Sequence, residues 1–260
     1  MEFQHGALTA SIQNPANNPE VDIGDNYEIP PPEPSSSFAG LKDRIKRHYE
    51  ICSDYYYSLW YVPVESPEDT KEVAQSRLID LLLEKSQLPT CSQILDVGCG
   101  IGGTSRYLAK NKGCSVTGIT ISGQQVKLAR DLTAKEAGSV DGKLEKSGFT
   151  RLRSGSVRFV ELDAEKMGDF FKEADKKVTF DCMWISEAMS HFPDKGLFFR
   201  NASMLLNEGG KLVVADWFKA EGLTDAQLAA DIKPIEGETC LWTQSARLLT
   251  RAKTECYFLD

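Results

Sequence analysis

Short apolar runs recur through the middle of the chain, each closing on a glycine, a hydroxyl or an acid. Ile94, Leu95 and Val97 form the first, and it stops at Gly98. The others span 114–121 (CSVTGITI), 156–162 (SVRFVEL), 180–185 (FDCMWI) and 211–217 (KLVVADW). They are short, rich in β-branched residues and nearly continuous in apolar character, the pattern of strands buried on both faces. Between them lie stretches of helical spacing. Residues 68–85 carry a stripe of Val73, Leu78, Leu81 and Leu82, 104–110 follow the first strand, Ser122 caps a helix over 123–137, and 198–207 end at the stop signal Gly209-Gly210. Strand and helix in alternation predict a doubly wound α/β fold with a mostly parallel sheet, the fifth strand central.

The flanks break this rhythm. Residues 1–37 are rich in Pro, Asn, Ser and acids (NPANNPE, EIPPPEPSSS), with too few apolar groups to repay ordering, and are read as a flexible arm. Residues 38–88 are read as an N-terminal helical cap with a basic face at Lys42, Arg44, Lys46 and Arg47, followed by a cluster of tyrosines, and 89–260 as the catalytic domain, with 218–250 as possible lid helices. Residues 138–155 are polar and punctuated by glycine, and read as an inserted solvated loop.

Composition narrows the partners. The 260 residues are 41% hydrophobic and 26% charged, and 38 acids against 30 bases give a net charge of −8. That balance argues against a nucleic-acid surface, which needs clustered Lys and Arg, and favours a small-molecule substrate. No apolar run is long enough to span a bilayer, and the N-terminus shows neither a basic nor an apolar leader region, so a cytoplasmic protein is expected. The seven cysteines form no C-x-x-C pair and read as reduced thiols. Asn201-Ala202-Ser203 is a glycosylation sequon without meaning inside a helix of such a chain.

The most informative stretch is QILDVGCGIGGT, residues 93–104: a strand, a glycine loop and the start of a helix. Gly98, Gly100 and Gly103 satisfy the dinucleotide pattern G-x-G-x-x-G, but its acidic companion about 20 residues on is missing, replaced by Gly118, Ile119 and Thr120. Asp96 would repel a pyrophosphate and suits a cation such as an ammonium or sulfonium group. With D-x-G-x-G-x-G at the end of the first strand, the segment resembles the S-adenosylmethionine (SAM) loop of class I methyltransferases. The resemblance implies their Rossmann-like fold and places Asp96, Gly98, Gly100 and Gly102 against the cofactor.

Further blocks sharpen this resemblance over about residues 40–217. H-Y-x-x-x-S-D-Y-Y at 48–56 is similar to the cap of tocopherol and sterol C-methyltransferases and of cyclopropane-forming lipid methyltransferases. It implies that Tyr49 or Tyr56 reaches the methionine end of SAM; alternatively these aromatics only fasten the cap to the core. Most class I methyltransferases hold the ribose with an acid at the end of the second strand. Here Thr120 stands there and, with Gln125, matches the GITLS-type segment of these relatives, whose hydroxyl and amide can exchange hydrogen bonds with the ribose diol. By the same resemblance Asp163 accepts from the adenine amino group, the Ala164 backbone meets the ring edge, and Ser186 joins the cofactor set. The order W-x-x-E-x-x-x-H-x-x-D-K from Trp184 to Lys195 resembles the chemistry loop of the tocopherol methyltransferase group.

Methyl transfer from a sulfonium needs alignment, exclusion of water and removal of a proton from the nucleophile, with no metal or covalent intermediate. His191 is the first candidate base, because an imidazole titrates near neutrality, and Glu187 the second. The expected activity is methylation at O, C or N of a small, fairly apolar acceptor of natural-product or lipid-like kind. Two other readings stay open: a SAM-binding subunit without catalysis, and an NAD(P)-dependent oxidoreductase. Class I methyltransferases close their sheet with two antiparallel strands, whereas here a single strand is expected, around 255–259. The last strand is then either lost or supplied by the arm or by a second copy through the exposed edge.

Overall fold

The computed structural model describes residues 40, 42, 43, 45–47, 70–90, 92–141, 148–173, 178–216, 223–232 and 255–259. The arm over 1–37, Tyr49, Tyr56 and most of the expected lid lie outside the described residues.

The central element is β1 (Gln93–Val97), whose last four residues are all buried. β2 (Ser115–Thr120) pairs with it in parallel on one side and β5 (Phe180–Ser186) on the other. Outward from β2 come β4 (Gly155–Glu161), parallel, and the short β3 (Thr150–Leu152), antiparallel. Outward from β5 come β6 (Leu206–Ala215) and β7 (Glu255–Leu259), both parallel. The seven strands thus run in the order β3-β4-β2-β1-β5-β6-β7, a mostly parallel sheet of the doubly wound kind.

Alternate residues feed two cores. On one face Ile94, Val116, Trp184 and Val213 pack beneath α1 (Lys71–Ser86), α2 (Gly103–Lys112) and α3 (Gly123–Asp141). On the other, Leu95, Val97, Ile119, Met183, Ile185 and Val214 meet α4 (Met167–Glu173) and α5 (Lys195–Leu205). Covered on both faces, these strands need no polar alternation, which is why they read as continuous apolar runs.

Five expectations change. The buried face of α1 is Ala74, Leu78 and Leu82, at i, i+4 spacing, with Leu83; Val73 is 41% exposed, the small Ala74 having been overlooked beside it. The 138–155 segment is not all loop, since α3 runs to Asp141 across a kink at Gly138 and β3 turns into β4 at Arg153, φ +55°. β3 was hidden because only Leu152 of its three residues is buried. Gly209-Gly210 does not stop a helix: α5 ends at Leu205, β6 begins at Leu206, and the pair lies where the β5–β6 register slips between Phe180↔Leu206 and Cys182↔Lys211. Small residues absorb such a bulge. β6 is second from the edge, not central. Finally, the single C-terminal strand joins β6 in parallel, Lys211↔Glu255 through Ala215↔Leu259, where an antiparallel closure is the pattern of the resembling enzymes.

One glycine away from any ligand is held by packing alone. A Cβ at Gly155 would lie 2.4 Å from the carbonyl oxygens of Ala109 and Cys114, both backbone. Gly155→Ala therefore cannot be relieved by a side-chain rotation, and it is expected to lower stability by about 1–3 kcal/mol in denaturant unfolding. An unchanged midpoint would contradict this close approach of β4 to the end of α2.

Candidate functional site

The parallel strands end in a row, and the loops beyond their carboxyl ends line a cleft open to solvent. β1 contributes Gly98 and Gly100, β2 contributes Thr120 and, from the helix that follows, Gln125, β4 contributes Asp163 and Ala164, and β5 contributes Glu187 and His191. Eight residues singled out from the sequence thus share one wall, as expected where a doubly wound sheet changes winding direction.

The glycine loop is held open by its conformation. Gly98, Gly100 and Gly102 have φ of +73°, +55° and +78°, so three left-handed residues alternate along it. The amides of Gly98 and Cys99 both donate to the Ile119 carbonyl, at 2.9 and 3.0 Å, which ties the loop to β2. A Cβ on Gly98 would stand 2.2 Å from that of Ala188; the missing side chain lets the β5 loop close against the β1 loop. Above Gly100 the space is open, its nearest neighbour being Gln125 Nε2 at 4.0 Å from a Cβ placed there. Gly102 serves packing instead: the Phe159 ring fills the place of its Cβ at 2.4 Å, and it does not line the cleft. Buried Arg106 steadies the loop, its guanidinium donating to the Ile101 carbonyl at 2.6 Å while Nε donates to Glu136 at 2.8 Å.

Asp96, expected against a cation, is not among the residues lining the cleft. It is 3% exposed, behind the loop, and Oδ2 accepts from the Ser105 hydroxyl at 2.5 Å. Burial pushes its carboxyl up from 3.8 to about 6, with the Ser105 bond pulling the other way. Between about pH 4 and 6 the folded chain keeps a proton that the unfolded chain has released, so Asp96 costs stability as pH rises through that window. Asp96→Asn, which keeps an acceptor for Ser105, should gain on the native chain by about 2 kcal/mol between pH 4 and 7. Parallel denaturation profiles for the two proteins would contradict it. Cys99 turns inward toward Gly118, and burial pushes its thiol well above the ordinary range, so it is a packing residue and no thiolate.

Across the cleft, Thr120 Oγ1 donates to Gln125 Oε1 at 2.6 Å. Both residues are buried, and the bond orients the amide. Asp163 follows β4 and caps a short turn, Ala164–Lys166, by accepting from the Glu165 amide at 3.0 Å. Glu165 is the hub here: it takes the Asp194 amide at 3.0 Å, and its carbonyl takes the amide side chain of Asn201 at 3.0 Å. Buried and so engaged, Asn201 is closed to glycosylation in this fold, as the sequence indicated.

The β5 loop carries the chemical groups. Glu187 has φ +52°, a left-handed conformation that is costly for a side chain of this size and held by its amide's bond to the Ala215 carbonyl at 2.8 Å. Asp216 accepts from the Met189 amide at 2.7 Å, fixing the turn Met189–His191 that brings His191 to the cleft. Trp184 is fully buried in the core on the face that α1, α2 and α3 cover, and does not line the cleft; its indole Nε1 has no hydrogen-bond partner among the described residues. Ser186 ends β5 beside the cleft without lining it.

Lys42, Ile45, Glu165, Phe192 and Pro193 also line the cleft and were missed. Lys42 reads from the sequence as part of a basic helical face, and Glu165 lies only two residues beyond Asp163. Asp216, immediately after an apolar strand, carried the positional signal that identified Asp163. The described lining holds Asp163, Glu165 and Glu187 against one lysine, so the cleft favours a cationic group.

Among known proteins, 157 residues of the chain are 38% identical to the 2-methyl-6-phytyl-1,4-hydroquinone methyltransferase of Synechocystis sp., covering 58% of this chain and 42% of that protein. Tocopherol O-methyltransferase, chloroplastic, of Arabidopsis thaliana is 28% identical over 177 residues, 65% of this chain and 45% of the relative. The chain therefore spans less than half the length of these two relatives. Among solved structures, geranyl diphosphate C-methyltransferase from Streptomyces coelicolor A3(2), in complex with Mg2+, geranyl-S-thiolodiphosphate and S-adenosyl-L-homocysteine, superposes with a TM-score of 0.54 at 17% identity, over 85% of this chain and 80% of that one. That likeness extends to the fold. The model of the mycolic acid cyclopropane synthetase family matches residues 40–219, well over half of the sequence, and the chain belongs to that family.

Proposed function

We propose that the chain is a SAM-dependent methyltransferase acting on O, C or N of a small, fairly apolar metabolite. One observation carries this reading: the glycine loop, the Thr120–Gln125 pair, Asp163 and the Glu187–His191 loop converge on one cleft across four neighbouring strand ends. The family, and the methyltransferase names of the relatives above, support it.

The residues fit the cofactor. Gly98 and Gly100 leave no Cβ between the loop and a ligand, Gln125 Nε2 faces Gly100 as a donor for a ribose oxygen, and Asp163 suits an exocyclic amino group. SAM, when bound, supplies an electrophilic methyl on a sulfonium. The chain has to seat that donor, dry the site and take one proton. Ile45, Ile119, Ile121, Leu162 and Phe192 give the cleft apolar walls that exclude water. His191 and Glu187 both line the cleft; in this reading His191 accepts the acceptor's proton, and Glu187 stands in for it or faces the positive charge near the sulfur. Alignment of donor and acceptor supplies the rest of the rate.

The test is production of S-adenosylhomocysteine from SAM across a panel of apolar phenols, amines and carboxylates. Turnover with members of one acceptor class is expected. SAM binding without turnover on any acceptor would overturn the catalytic reading in favour of a silent subunit.

A further inference from the structure

Of the lining residues, Lys42 is in the least expected place. Its ammonium donates to Asp163 Oδ2 at 2.7 Å and also to Glu165 Oε2, and the three side chains are only 22%, 17% and 13% exposed. The other Asp163 oxygen accepts from the Glu165 amide at 3.0 Å. Both oxygens of Asp163 are therefore engaged, the outer one by a group that itself lines the cleft. A second contact fastens the same helical segment: Lys46 donates to Glu161, on β4, at 2.5 Å.

We propose that Lys42 is an internal competitor at the cofactor site: its ammonium occupies the Asp163 acceptor that an adenine amino group would use, so the 40–47 segment must yield before the nucleoside seats. The inference rests on the SAM reading given above. An ammonium is a charged donor and an aromatic amine a neutral one, so the bond to the carboxylate favours the lysine by roughly twofold in strength. The cofactor's remaining contacts must repay that difference, and its apparent affinity is lowered by the fraction of molecules in which Lys42 holds Asp163. Glu165 makes the exchange affordable, because Lys42 can release Asp163 and remain paired with Glu165. The ammonium keeps a paired charge when the adenine end arrives.

The sign of the effect separates this from a contact that helps binding. S-adenosylhomocysteine is titrated calorimetrically into the native chain, Lys42→Met and Glu165→Gln, with thermal unfolding checked for each. Lys42→Met is expected to bind about fivefold tighter or better, and Glu165→Gln, which removes the carboxylate to which Lys42 retreats, to show no such gain. Equal or weaker binding by Lys42→Met overturns the proposal. If that variant fails to fold, Lys42→Gln, which removes the charge and keeps a polar side chain, decides by the same sign. Loss of S-adenosylhomocysteine and SAM binding in all three proteins, the native chain included, would instead remove the cofactor reading and the proposal with it.

Discussion

His191→Ala lowers turnover by roughly 10²- to 10⁴-fold, the range for loss of a positioned proton acceptor, while S-adenosylhomocysteine binds within about twofold of the native value. The imidazole lies at the β5 end of the cleft, on a turn held by Asp216 and by its own amide's bond to the Ala188 carbonyl at 3.1 Å. Removing the ring therefore leaves the glycine loop and the Asp163 end untouched. Steady-state kinetics with the best acceptor check this. Unchanged turnover would exclude His191 from proton transfer and pass that role to Glu187.

Gly98→Ala is the larger disruption of binding. A side chain there meets two obstacles at once, a φ of +73° and a contact of 2.2 Å with Ala188 Cβ. Relief would part the β1 and β5 loops and so separate the donor site from the chemical groups. We expect a loss of stability of about 1–3 kcal/mol and at least about tenfold weaker S-adenosylhomocysteine binding. Gly103→Ala is the internal control: it opens α2, and nothing lies within 4 Å of a Cβ there. It should be neutral or slightly stabilising. Equal effects of the two substitutions in calorimetry would contradict this division of labour.

That contrast also bears on the cofactor. In a dinucleotide fingerprint the third glycine allows close packing of helix on strand. Gly103 matches that pattern by spacing, yet it has open space where a side chain would go. Spacing alone could not separate the two ligands; the open space at Gly103 lacks the close packing that the dinucleotide pattern uses.

Strand ends were the most legible feature of the sequence. Buried parallel strands are apolar along their whole length and stop where the chain leaves the sheet, so Gly98, Thr120, Asp163 and Glu187 could be placed at one edge before any coordinates. Three kinds of residue escaped. Asp96 stands near the strand's end, but side chains alternate across a strand, and its place on Ile94's face turns it toward α2 and Ser105. Gly102 was read as part of the ligand loop, although its freedom serves the Phe159 ring. Lys42 belongs to a distant segment, 121 residues before Asp163, and no local pattern announces such a pairing. β3 and the glycine bulge in β6 were obscured for a related reason, because edge strands and irregular ladders bury too little to leave a hydrophobic signature.

The central claim, that this cleft holds SAM, is tested most directly by calorimetric titration of the whole chain with S-adenosylhomocysteine beside NAD(H) and NADP(H). Saturable one-to-one binding of S-adenosylhomocysteine, abolished or strongly weakened by Gly98→Ala and absent for the dinucleotides, is the predicted result. Binding of a nicotinamide dinucleotide with none of S-adenosylhomocysteine or SAM would contradict it.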